Sequence, residues 1–467
     1  MTQPTAPPAV PPPSGAPLDP APPDSERLTR VAATAWSEGA AKLRNSTTTE
    51  PGRLRLLGAV LATLILAFGA VTSWQISSRA QVTDAVVDHS QPLSADAASV
   101  YRSLADADTT AASGFLAGGE EPPAVRERYE RNIRQASRLL AKAASNSGGS
   151  ASARREVTRL NEHLPRYTGL VEAARSNNRQ GLPLGGAYLR YANEEMRTEL
   201  LPSAHRLYEA ESARLDRDYQ DAESWPWAGT ALGLLALGVL VWAQRRNYRL
   251  TNRVFNRGLV VATAAVLLGV LWLSVGQGLA RSGLRESDEH GARSLRALNE
   301  AWTTALAARG DENITLVARG AGEEYEKSYQ RGINAFHGDK TTSAGGQLRK
   351  AEKLADDDAG RDPVRAASRA TAQWRDLHAK ARWQDDSGSY DKAVDMVIGS
   401  KNSTAESFDR VNASLREAVK HEQSQFEGAA RSGRTALTGL TVGTLVLAAA
   451  GAVAALMGVG RRLAEYR

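Results

Sequence analysis

The chain has 467 residues, 24% of them charged, a net charge of +6 and no cysteine. That length admits several domains, and the missing cysteine excludes disulfides, thiolate-held metals and a lipidated-cysteine anchor. The positive balance is no nucleic-acid footprint, because Lys and Arg alternate with Asp and Glu along the polar stretches instead of gathering in one domain.

Residues 1–25 are proline-dense and predict a disordered tail with a polyproline bias. Residues 26–43 can form a short helix carrying Val31, Ala32 and Trp36 on one side. Thr47, Thr48 and Thr49 beside Glu50 read either as a solvated hinge or as a phosphoacceptor cluster. Residues 1–53 are therefore expected in the cytoplasm. The first apolar run, 54–74, begins too late for a cleaved signal peptide and predicts a retained membrane anchor. Three further runs, 225–243, 258–277 and 436–460, are each close to the ~20 apolar residues that cross a bilayer.

Arginines mark one side of these runs. Arg53 and Arg55 precede the first. Arg245, Arg246, Arg249, Arg253 and Arg257 crowd the loop 244–257 between the second and third, and Arg461 and Arg462 follow the fourth. Basic residues in short loops stay in the cytoplasm, so the expected topology is four spans with both termini inside. Trp74, Trp225, Trp227 and Trp272 then fall at the outer interface, with Trp242 and Tyr248 at the inner one.

Two long polar stretches, 76–224 and 278–435, lie between the spans and are expected outside the cell membrane. The first carries apolar stripes at three- and four-residue spacing: Val125, Tyr129, Ile133, Ala136 and Leu140, then Val157, Leu160, Leu164, Tyr167, Val171 and Ala174. These are the stripes of amphipathic helices packed at shallow angles. Breakers at 118–123, 146–152 and 177–183 divide the stretch into four helices. The second stretch shares its landmarks. Tyr129, Arg131 and Ile133 match Tyr329, Arg331 and Ile333; Tyr167, Ala174, Arg175 and Gly181 match Trp374, Ala381, Arg382 and Gly388. The expected fold is all-α: four transmembrane helices and two tandem-duplicated extracytoplasmic four-helix bundles.

No catalytic motif is present, neither a P-loop nor a GxSxG, HExxH or kinase signature. No catalytic, cofactor or metal residue is assigned, and no enzyme activity is expected. The seven histidines are dispersed without metal-ligand spacing and read as surface residues. Asp356, Asp357 and Asp358 read as loop charge. The most informative turn is ARSNNRQGLP, 174–183, where Arg175, Asn177, Asn178 and Arg179 bring planar donors together. Such forks bind carboxylates and phosphates, and they also tie loops to helix-end carbonyls. In the second stretch Arg382 stays while Asp385 and Asp386 replace Asn178 and Arg179, so an Arg179–aspartate contact between the halves is a further expectation. The turn 114–123 reads as a plain hairpin or as part of a docking surface.

FLAGG at 115–119, the ARSNNRQGLP turn and the four-span duplicated layout resemble the GlnX-type membrane proteins of actinobacteria. Each polar stretch is also similar to the four-helix sensor domain of chemoreceptors. The resemblance implies a relay without catalysis of its own. An extracytoplasmic solute-binding protein would report acidic amino acids, and a cytoplasmic Ser/Thr kinase of the PknG type would respond. Membrane lipid is the other expected partner, nucleic acid is not one, and a homodimer remains open. The competing reading is a structural scaffold of the cell envelope. A transporter is disfavoured, because the span interiors carry no charged residue to line a path.

Overall fold

The computed structural model describes residues 50–146, 150–223, 227–251, 256–286, 291–339 and 345–464. The proline-rich tail, the short helix expected at 26–43, the Thr47 to Thr49 cluster, Trp225 and Arg253 lie outside the described residues, as does the side chain of Arg462. Among the described residues every regular element is helical. In chain order they are α1 (Glu50–Ala85), α2 (Gln91–Leu116), α3 (Pro123–Asn146), α4 (Ala151–Arg179), α5 (Leu184–Glu195), α6 (Leu201–Glu223), α7 (Trp227–Thr251), α8 (Arg257–Glu286), α9 (Arg293–Val317), α10 (Glu323–His337), α11 (Gln347–Leu354), α12 (Asp358–Asp386), α13 (Tyr390–Ile398) and α14 (Thr404–Ala464). A π-helical turn, Val86–Ser90, joins α1 to α2, and another, Met196–Leu200, joins α5 to α6.

Four helices are long and apolar enough to cross a membrane: Gly52–Leu116, Trp227–Arg246, Arg257–Gly278 and Gly439–Arg461. The chain is thus a helical membrane protein, as the apolar runs predict. Two of these helices extend far beyond hydrocarbon length. Gly52–Leu116 continues for 65 residues, and α14 runs for 61 residues.

The chain divides into two compact units. The smaller holds 1–66, 236–265 and 449–467, one end of the spans. Its helices meet through small residues, as lipid-embedded helices do. A Cβ at Gly258 would lie 2.3 Å from the Cα of Gly458. Asn256 seals this contact by donating from Nδ2 to the Gly458 carbonyl at 2.9 Å. Arg245, Arg246, Arg249, Arg257 and Arg461 belong to this unit and are exposed, and Arg246 lies over the Trp242 ring at 5.4 Å.

The larger unit holds 67–235 and 266–448, which includes both polar stretches. In the first, α2 to α6 enclose Leu104, Tyr129, Leu140, Leu160, Tyr167, Val171, Leu189 and Leu207. In the second, α9 to α14 enclose Leu298, Trp302, Tyr329, Phe336, Val364, Trp374, Phe408 and Leu415. The periodic apolar positions account for these cores, since each stripe faces the bundle axis. The turns sit where glycine permits left-handed backbone: Gly118 (φ +77°) and Gly181 (φ +70°) in the first bundle, Gly320 (φ +86°) and Gly388 (φ +80°) in the second.

The two bundles meet along α2 and α9. Small residues let these helices come close, and polar groups lock them. Asn313 donates from Nδ2 to the Thr109 carbonyl at 3.1 Å and to Ser113 Oγ at 2.9 Å, and Arg102 bonds Asn299 across the same seam.

Candidate functional site

A cavity of about 940 Å³ opens between the bundles, walled by α2 and α3 on one side and by α9 and α14 on the other. Ligand pockets commonly enclose ~300–1,000 Å³. Its floor is Trp302, which is buried and donates from Nε1 to Asn412 Oδ1 at 2.8 Å. The Arg102 guanidinium lies 4.8 Å above that ring and also donates to Ser99 Oγ at 2.7 Å. At one edge Asp106 accepts two bonds from Arg128, at 3.0 and 2.7 Å, and one from Asn132 at 2.6 Å. Arg128 reaches on to Asp409 of α14 at 2.8 Å, bridging the bundles.

The charges of the lining do not cancel. Asp106 and Asp409 are engaged by Arg128. Glu427 is engaged by Arg431 at 2.7 Å, and Arg131 by Glu127 at 3.3 Å. Among the described residues Arg102, Arg416 and Lys420, all in the lining, have no carboxylate partner. Burial pulls the Arg102 pKa down to about 10, and Arg416 nearby adds to the fall.

The second bundle also holds a buried ionic node. Glu312 on α9 accepts from Arg309, from Trp374 Nε1 at 2.9 Å and from His378 Nδ1 at 2.9 Å. The other ring nitrogen of His378 donates to Glu326 of α10 at 3.1 Å, and its ring stacks on Tyr329 with centroids 3.7 Å apart. Acceptors at both nitrogens define an imidazolium. Burial alone would push His378 down, but the bonds to Glu312 and Glu326 outweigh it and lift its pKa to about 9. Glu312 is likewise pushed up by burial, yet Arg309, His378 and Trp374 hold it below the usual carboxylate range. Arg309 also donates to Thr404 Oγ1 at 2.6 Å and to the Val397 carbonyl at 3.0 Å. It thereby pins the first turn of α14 to α9. The expectation that all histidines lie at the surface fails here: His378 is 3% exposed. Its spacing four residues after Trp374 and three before Ala381 puts it on the core stripe, and that signal was available in the sequence.

The first bundle buries Asp108 of α2. Asp108 accepts from Asn193 Nδ2 at 2.7 Å, and burial, only partly offset by that bond, raises its pKa to about 6.

The residues of the 174–183 turn bond within their own bundle. Arg175 is buried, donates to Glu172 at 2.7 Å and Glu121 at 3.0 Å, and lies over the Tyr129 ring at 4.2 Å. Asn177 Nδ2 donates to the Ala173 carbonyl at 2.8 Å. Asn178 Nδ2 donates to the carbonyls of Phe115 at 2.9 Å and Gly118 at 3.2 Å, tying the 174–183 turn to the 114–123 turn. Arg179 is exposed. The expected contact between Arg179 and an aspartate of the other half is absent among the described residues. Asp385 and Asp386 instead accept from Arg382 of their own helix, at 2.5 and 2.8 Å. Asp357 caps α12 by accepting from Gly360 N at 2.8 Å.

The cavity is polar, and two of its four walls, α2 and α14, belong to helices that include candidate spans. Residues 82–220, which include the α2 and α3 walls, match the model of a family described as an actinobacterial sensor domain. That similarity suggests a signal-sensing role. No curated protein and no solved structure matches the chain.

Proposed function

We propose that this chain is a non-catalytic transmembrane relay. Its two bundles stand outside the cell membrane, both termini lie inside, and a signal received outside is passed to a cytoplasmic partner. The observation that carries the reading is helix continuity. The α2 wall of the cavity belongs to the unbroken helix Gly52–Leu116, and the α14 wall belongs to the helix that ends as the last span. A ligand or docked protein that favours one packing of these walls shifts the balance by its differential affinity. The bonded backbone of each helix carries the displacement along its axis.

The arginine-marked span ends support the orientation. A duplicated origin of the bundles is part of the proposal. Tyr129 and Tyr329, Tyr167 and Trp374, and Ala174 and Ala381 are buried in both, and Gly181 and Gly388 both take positive φ. The GlnX-type resemblance supplies the partners proposed: a solute-binding protein reporting acidic amino acids outside and a PknG-type Ser/Thr kinase inside.

Orientation is tested first. The chain has no cysteine, so single cysteines at Glu127 and Arg249 can be labelled without background. A membrane-impermeant maleimide on intact cells should modify the first and spare the second, and the reverse pattern inverts the topology. The relay is tested by deleting residues 1–50 and replacing the arginines of the basic loop by glutamine. Kinase output in response to acidic amino acids should disappear, and an unchanged response removes the relay.

A further inference from the structure

The cavity between the bundles has a chemistry that can be stated more narrowly. Among the described residues, the lining charges left without an ionic partner are all positive. Arg102 is half-buried and desolvated, and its five donors are only partly used, by Asn299 and Ser99. Arg416 and Lys420 sit four residues apart on α14, a like-charge spacing that destabilises a helix unless something lies between the heads. The neighbouring acids are already engaged: Asp106 by Arg128 and Asn132, Asp409 by Arg128. The volume of about 940 Å³ is far larger than one inorganic ion needs, and Trp302 offers an apolar face beneath Arg102.

From this we infer that the cavity binds a small organic anion directly, one bearing two or more carboxylate or phosphate groups, held by Arg102 from α2 and by Arg416 and Lys420 from α14. Arg102 supplies a planar fork matched to an oxyanion. Arg416 and Lys420 supply the second charged contact from the facing wall. An anion between them draws α2 and α14 together. The inference rests on the relay reading only for its consequence, and the binding stands or falls by itself.

The test is isothermal titration calorimetry on the detergent-solubilised full chain at constant chloride. Citrate serves as the polycarboxylate probe, pyrophosphate as the phosphate probe with two phosphate groups, and acetate and spermidine as controls. Saturable heat with citrate or pyrophosphate, and none with acetate or spermidine, is expected. Whichever of the two binds identifies the oxyanion. Affinity should fall at least tenfold in Arg416→Gln and in Lys420→Gln, both exposed positions that leave the fold intact. Arg102→Gln should abolish binding, and Arg102→Lys should restore part of it. No saturable heat with either anion, or equal affinity in the Arg416→Gln/Lys420→Gln double variant, overturns the site. Binding without a cytoplasmic response removes the relay and leaves the site. A response without anion binding does the opposite.

Discussion

The buried node in the second bundle makes a pH-dependent demand on stability. His378 sits between Glu312 of α9 and Glu326 of α10, stacked on Tyr329, with Arg309 on the far side of Glu312 and Arg382 at 3.5 Å from Glu326. Its pKa rises from 6.5 in the unfolded chain to about 9 in the fold. A raised pKa means the folded state holds the proton more tightly. The stabilisation is therefore complete below pH 6.5 and drains away as pH climbs through 9. At ~1.4 kcal/mol per pKa unit, the difference amounts to about 3 kcal/mol. For a domain of this size that is a fall in Tm of roughly 6–12 °C. Tyr329 is held well above its ordinary value by burial, and Glu312 and Glu326 are held low, so none of the three titrates in that window. Thermal melts of the solubilised chain from pH 6 to 9.5 should show the fall, and His378→Gln should flatten it while lowering stability at pH 6. A wild-type melt flat between pH 6.5 and 9, or an identical slope in His378→Gln, would refute the reasoning.

Four further outcomes follow from the same geometry. Replacing Arg309 by Met leaves Glu312 without its guanidinium and frees Thr404, so urea denaturation should show a loss of ~3–5 kcal/mol, with little rescue by Lys, which cannot reach three acceptors at once. Asp108→Asn should stabilise the chain above pH 6 by up to about 3 kcal/mol and change nothing below pH 4, because the native carboxyl is raised from 3.8 to about 6; pH-resolved melts check it. Gly388→Ala places a Cβ on left-handed backbone at φ +80° and should cost about 1 kcal/mol, read as a lowered urea midpoint. Gly258→Val forces apart helices that a Cβ would bring within 2.3 Å, and should lower the melting temperature by the equivalent of ~1–3 kcal/mol.

The helices were legible because burial has a period. The stripe from Val125 to Leu140 and the stripe from Val157 to Ala174 name core faces, and the structure puts Tyr129, Leu140, Val157, Leu160 and Tyr167 inside. The turns were legible because glycine and proline punctuate them. What the sequence could not supply is what each face packs against. Asn178 reads as a free donor until the Gly118 turn presents carbonyls to it, and Arg175 reads as a ligand-binding fork until Glu121 arrives from the same turn. Asn178 is consumed by carbonyls at the end of α2, and Arg175 by the carboxylates of Glu121 and Glu172.

The same subtraction decides which cations are available, and it reverses a local reading. Asp106 lies four residues after Arg102 on one helix, a spacing at which the two would ordinarily pair. In the fold Asp106 turns to Arg128 and Asn132 of α3, which offer three bonds between 2.6 and 3.0 Å. Arg102 is then left to Trp302 and Asn299 of the second bundle. The exchange links two events that lie far apart in sequence: docking α3 on α2 takes the acid, and docking α9 on α2 receives the cation. Arg128 finishes the circuit by reaching Asp409 on α14. A cation released by one packing and presented to a cavity by another is set by tertiary structure alone. That is why Arg102, Arg416 and Lys420 look ordinary in the sequence and become distinctive once their neighbours are placed.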